Sequence, residues 1–275
     1  MQKILLYIIL VVTLFVGCVS GNDVSRPTLA VTIEPYRYIV EAVAGEKWEV
    51  VSVVPKGNSP ETFDPTPGQM MKLGKCEAYF LVGGLGFEES WVEKIKEVYP
   101  ALPFVDTSSG ILRVDDDPHL WTSPDNMVVI ARNVCAALCR MDTCDTTGYK
   151  ARLQAIEKMI AATDTSIRRK LADASSRSFL VFHPSLTYFA RLYGINQIVL
   201  EEHGKEPSAA HVKHVIDEAR SRGVRNVLVQ AEFDKNHAAV VARELNATLQ
   251  TINPLSYDWH GEMLHIADCL NNDEQ

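Results

Sequence analysis

The sequence has no block of lysine or arginine, and its formal net charge is −8. General nucleic-acid binding needs a basic face, so that class is excluded. There is no H-E-x-x-H, the helical pattern that gives a zinc hydrolase its two imidazoles and its base, which argues against such an enzyme. No segment recurs at a period of about 20–50 residues and none is of low complexity, so a solenoid or repeat array is excluded. Cysteines are few. Cys135, Cys139 and Cys144 have no histidine or fourth cysteine beside them, which makes a poor zinc site.

What is present begins at the N-terminus. Met-Gln-Lys is followed by the apolar run ILLYIILVVTLFV. That run falls short of a comfortable membrane span but suits the apolar part of a signal peptide. It leads into Gly17-Cys18, a small residue before a cysteine, which resembles a lipoprotein processing site, although Phe15 stands where leucine is usual. The expectation is a signal peptide over 1–17, lipidation at Cys18 and a tether over 18–27. The body would then lie outside the cytoplasm as a membrane-anchored lipoprotein, periplasmic or on the cell surface. An uncleaved anchor helix is the alternative. Five cysteines remain after Cys18, an odd number, so their pairing stays open. Cys139 and Cys144 bracket an expected helix end and could bridge.

At 275 residues, 47% of them hydrophobic, the chain can build two ordinary domains with real cores. Short apolar runs alternate with amphipathic segments throughout. Strands are expected over 29–33, 48–54, 78–82 and 103–105, then over 179–182, 197–200, 226–230 and 249–252. Helices are expected over 36–43, 67–75, 88–98, 124–140, 186–193, 209–222, 235–245 and 260–270. Between the two sets, about 147–174 runs without proline or glycine after Gly148. Such alternation gives parallel sheets flanked by helices. The predicted fold is therefore α/β, with two lobes, 28–145 and 176–275, joined by one long helix over 146–175.

In open parallel sheets, ligands bind beyond the carboxyl ends of the strands. The residues there are informative. After WEVVSVV come Glu61 and Asp64; after SFLVF comes His183; after VRNVLVQ comes Glu232; after LQTI comes Asn253. His119 stands in DDDPHLWTSP ahead of the 124–140 helix. Imidazole with carboxylate and no thiolate suits Zn²⁺ first, with Mn²⁺ or Fe²⁺ as alternatives. The acidic run Asp115–Asp117 is expected to be a solvated loop. His203, with Glu201 or Glu202, is expected near the cleft.

Several of these stretches together resemble the solute-binding proteins of zinc and manganese ABC importers, on the zinc-uptake side. They are residues 57–69, 117–124, 182–194, 204–208, 230–233 and 253–255, with Asp-Pro-His-Leu-Trp from Asp117 and Phe-His-Pro from Phe182 as the strongest. The similarity covers essentially the whole mature chain. It implies a rigid linking helix, one ion held between the lobes, ligation by His119 and His183, and no catalysis. It also implies delivery of the ion to a cognate membrane permease, with the receptor itself held to the membrane by its lipid and acting as a monomer.

Three positions depart from the family pattern. Glu61 follows Ser59-Pro60 where histidine is usual, Asn253 precedes Pro-Leu where aspartate is usual, and Gln230 and Glu232 stand where glutamate and glutamine are usual. Glu61 would replace an imidazole, and Glu232, Asn253 or water would complete the shell. A chelated metal or haem is the lesser alternative cargo, since it would need a wider cleft. Ion binding is expected to order the loops near Glu61 and Glu232 rather than close a large hinge.

Overall fold

The computed structural model describes residues 26–172, 174, 176–202 and 207–271. The expected signal peptide, Cys18 and His203 lie outside them. Thr28–Val31 (β1), Glu49–Ser52 (β2), Ala78–Leu81 (β3) and Phe104–Asp106 (β4) make one sheet in the order β2-β1-β3-β4. Its connections run through Glu34–Ala44 (α1), Pro67–Leu73 (α2) and Gly86–Val98 (α3). Pro124–Met141 (α4) and Thr146–Ala172 (α5) follow.

Ser178–Val181 (β5), Asn196–Val199 (β6), Asn226–Gln230 (β7) and Thr248–Ile252 (β8) make the second sheet, in the order β6-β5-β7-β8. Thr187–Tyr193 (α6), Ala209–Ser221 (α7) and Asn236–Leu245 (α8) connect its strands, and Trp259–Asn271 (α9) follows. Every strand pairing is parallel. The expected two-lobed α/β architecture is therefore the observed one.

Local sequence accounts for the elements. Ser178–Val181 is buried at every position, as a strand covered by helices on both faces must be. At the start of α2 the Thr66 side chain accepts from the Gln69 N–H while the Gln69 side chain accepts from the Thr66 N–H, and Pro67 sits where no N–H is needed. Gly194 ends α6 with φ of 65°, a left-handed conformation that costs glycine little.

The long helix α5 has 27 residues, about 40 Å at the usual rise. It does not stand free between the lobes. It packs on α1 and α4 from the first half of the chain and on α9 from the second. Thr163 on α5 meets the His260 ring of α9 at 2.6 Å, and Lys170 pairs with Asp268. One continuous apolar core runs through Leu29, Tyr79, Tyr149, Ile167, Phe179 and Trp259. A second cluster, with Leu180, Val215, Val227 and Val241, covers the opposite face of the second sheet.

All five described cysteines are free thiols, so the Cys139–Cys144 bridge entertained above does not form. Cys139 turns instead toward the Thr146 carbonyl, 4.0 Å away, and Cys144 is exposed. No helix among the described residues is long and apolar enough to cross a membrane.

Candidate metal centre

In the second sheet the strand order reverses between β5 and β7, and the chain leaves these neighbours in opposite directions. A crevice opens there. His183 lies two residues past β5 and Glu232 two past β7. His119 arrives from the other lobe. It is not delivered by a strand but by the loop after β4, just before a 3₁₀ turn over Leu120–Thr122.

The two imidazoles meet. His119 Nε2 and His183 Nε2 are 3.2 Å apart, and both residues line a cavity of about 10 Å³ with Glu61, Ser185, Glu232 and Phe233. Each ring is held from behind by a carboxylate. His119 Nδ1 lies 2.7 Å from Asp117 Oδ1, which also accepts the His119 backbone N–H at 2.8 Å. His183 Nδ1 lies 2.9 Å from Glu201 Oε2. Carboxylates accept, so each Nδ1 donates to its carboxylate, and the Nε2 atoms are the ends that face each other. Two facing lone pairs repel unless a proton or a cation lies between them. Two nitrogens bound to one tetrahedral zinc at 2.0–2.1 Å would stand about 3.3 Å apart, close to the observed spacing.

Aromatic rings fix both imidazoles. Trp121 packs 5.2 Å from His119, and Phe233 stacks on His183 at 5.3 Å. The Trp121 indole donates to the Pro254 carbonyl at 2.8 Å, which ties the His119 segment to the opposite lobe.

Burial raises the Glu232 carboxyl above its usual value, and the nearby His183 and His119 offset this only in part. A cation in the cavity would draw that carboxyl back toward ionisation. For Asp117, burial acts upward, but hydrogen bonds to His119 and Thr187 and the charge of His119 outweigh it, and the carboxyl falls below its usual value.

The expected ligands do not all gather. Among the described residues, no group of three or more His, Cys, Asp or Glu side chains is drawn closely enough to hold an ion. Glu61 lines the cavity, but its carboxylate accepts the Gly86 N–H at 3.2 Å, at the start of α3. Asn253 does not line it. That residue lies in an adjoining cavity of about 150 Å³ with Glu34, Lys56 and Glu232. Its backbone N–H donates to Glu262 at 2.7 Å. Asp64 accepts from the Trp91 indole at 3.0 Å.

Sequence reasoning misjudged one residue and passed over another. Asp117 is not a solvated loop residue: it is largely buried and orients His119, while Asp115 and Asp116 are exposed. Its position two before the histidine was the available signal. Glu201, weighed only as a neighbour of the cleft, holds His183.

A wider chamber of about 380 Å³ opens beside the histidines, lined by Glu61, Asp115, Asp116, Asp117 and Thr187 among others. It gives a cation an acidic approach.

The sequence profile of the family described as zinc-uptake complex component A, periplasmic, matches residues 29–268. A crystal structure of ZnuA superposes with a TM-score of 0.86 at 32% identity, covering 90% of this chain and 99% of that one. A putative metal-binding protein of Chlamydia trachomatis is 26% identical over 97% of this chain and 99% of its own length. The manganese ABC transporter substrate-binding lipoprotein scaA of Streptococcus gordonii is 22% identical over 87% of this chain and 86% of its own length.

Proposed function

Because this chain belongs to the periplasmic zinc-uptake component A family, we propose that it is an extracytoplasmic receptor that takes one divalent cation between His119 and His183 and delivers it to the permease of an ABC importer. The observation that carries this reading is the facing pair of Nε2 atoms, 3.2 Å apart, each ring braced by a carboxylate. Zinc is the first choice of cargo because two imidazoles at this spacing match its tetrahedral demand. Glu61 and Glu232, which line the cavity, would complete the shell and neutralise the two charges of the ion once their carboxylates turn onto it. Asn253 enters only if its side chain crosses from the adjoining cavity. The kinship with a manganese receptor keeps Mn²⁺ as the alternative, and an oxygen-richer shell would favour it.

The gap between the imidazoles, about 10 Å³, holds roughly one water-sized body, which suits a bare ion at that point. Ion release requires the imidazoles to be reprotonated or pulled apart, which fits a carrier better than a catalyst. Membrane attachment through Cys18 and action as a monomer belong to the same reading.

Trp121 reports on the site, since its ring packs 5.2 Å from His119. The test is an equilibrium titration of indole fluorescence with Zn²⁺ and with Mn²⁺ against a competing chelator. One ion per chain with zinc held more tightly is expected. Tighter manganese would reassign the cargo, and no response to either ion, with none retained, would contradict ion capture.

A further inference from the structure

Gln230 is fully buried, an uncommon fate for a glutamine and one tolerated only when its carboxamide is satisfied. It is the last residue of β7, the strand beside β5, and its side chain reaches across to the segment that carries His183. Its Nε2 donates to the His183 carbonyl at 2.6 Å and to Ser185 Oγ at 2.7 Å. Its Oε1 accepts the His183 backbone N–H at 3.3 Å. One carboxamide thus grips both backbone polar groups of His183 and a hydroxyl two residues on. The segment lies between elements, since β5 ends at Val181 and α6 begins only at Thr187; Phe182 before it is held by the Leu228 carbonyl and Leu186 after it by Gln197. Ser185 itself is buried and lines the histidine cavity.

We propose that Gln230 is the positioning residue of the ion site, splinting residues 183–185 so that the His183 imidazole stands opposite His119. The inference rests on the reading of His183 as a ligand. The pattern of contacts suits a carboxamide, which both donates and accepts. Two of its three bonds are donated, to a carbonyl and a hydroxyl oxygen; a carboxylate would lose the first and set a buried oxygen against the His183 carbonyl, and it could keep the second only with Ser185 as donor. An apolar residue would leave the His183 N–H without its acceptor and the His183 C=O with only the Ser185 N–H, 2.7 Å away. Gln230 does not touch the ion cavity. It acts through the placement of an imidazole, where displacements well under an ångström matter to a metal.

The test uses the full mature chain with Zn²⁺ and with Co²⁺, whose visible absorption reports coordination geometry. Wild type, Gln230→Ala, Gln230→Glu and Ser185→Ala are compared for zinc affinity, cobalt spectrum and thermal midpoint. Gln230→Ala is expected to weaken zinc by about 10–100-fold, the usual cost of removing a residue that orients a metal ligand, and to alter the cobalt spectrum. Gln230→Glu, which loses the bond to the His183 carbonyl, should weaken it as well. A folded Gln230→Ala with affinity within twofold of wild type and a superimposable cobalt spectrum would overturn the inference, even if its thermal midpoint fell. If Gln230→Ala does not fold, Ser185→Ala decides. It loses one of the three bonds, so a weakening of several-fold with a shifted spectrum is expected, and an unchanged pair of readouts would overturn the proposal. A wild-type chain that takes up neither ion would overturn the ion-capture reading and this inference together.

Discussion

His119 and His183 approach each other because each ring is gripped from its far side. Asp117 and Glu201 fix the proton on Nδ1, and the aromatic contacts of Trp121 and Phe233 stop the rings from turning. Removing either carboxylate should therefore weaken the ion without removing a ligand. Asp117→Ala and Glu201→Ala are each expected to cost about 10–100-fold in zinc affinity by competition titration. Asp117→Asn, which still offers an acceptor oxygen to Nδ1, should cost less than the alanine, and an equal loss would mean the charge matters rather than the orientation. The two histidines were legible in the sequence because one closes an apolar strand and the other sits in a turn-forming Asp-Pro-His. Their carboxylate partners were not. Glu201 is 18 residues from His183 and pairs with it only because β6 runs beside β5. Gln230 was equally hidden, since a strand-end glutamine looks the same whether it faces solvent or a neighbouring backbone.

At the scale of elements, the alternation of apolar runs and amphipathic segments placed the strands to within a few residues, because parallel strands buried on both faces have little freedom in composition. The destination of the side chains beyond those strands was less visible. Asn253 follows β8, an edge strand of the second sheet, and lands in the adjoining cavity rather than between the histidines. Glu88 was read as the plain start of a helix. In the first sheet the order reverses between β1 and β3, and its carboxylate fills that point, accepting from Thr32 and from the N–H groups of Val82 at 2.8 Å and Gly83 at 2.6 Å. Burial raises its pKa, and these hydrogen bonds lower it less. The folded chain thus keeps this proton to higher pH than the unfolded chain. The group's contribution to stability is complete below the unfolded carboxyl value of about 4.3 and is lost as pH rises through the folded value. In denaturant unfolding between about pH 4 and 8, the stability of wild type relative to Glu88→Gln should accordingly fall with rising pH. A constant difference would contradict the account.

Over the whole molecule, the two lobes share one apolar core and are laced together away from the histidines. Besides the Trp121–Pro254 bond, the Trp259 indole donates to the Trp121 carbonyl at 2.7 Å, and Tyr257 on the second lobe donates to Glu41 on the first at 2.5 Å. A long helix separating two sets of strands was readable in the sequence. That it would be packed along its length rather than exposed was not, because its apolar positions, among them Tyr149, Ile160 and Ile167, are widely spaced along it and are buried by partners from both lobes. Such lacing leaves little room for hinge closure. Small-angle scattering of metal-free and zinc-loaded protein should give the same radius of gyration within error, and a lobe rotation of tens of degrees would contradict this. Trp121→Phe, which leaves the Pro254 carbonyl without its donor, should cost about 1–3 kcal/mol of stability, with the loss read from denaturant unfolding of the metal-free chain.

The central claim is that His183 closes a one-ion site with His119. Its most direct test is elemental analysis of the purified chain from Ser20 onward after exposure to equal Zn²⁺ and Mn²⁺, for wild type and His183→Ala. About one zinc per chain in wild type, lost in the variant, is expected. No metal in either protein, or the same zinc content in both, would contradict the account.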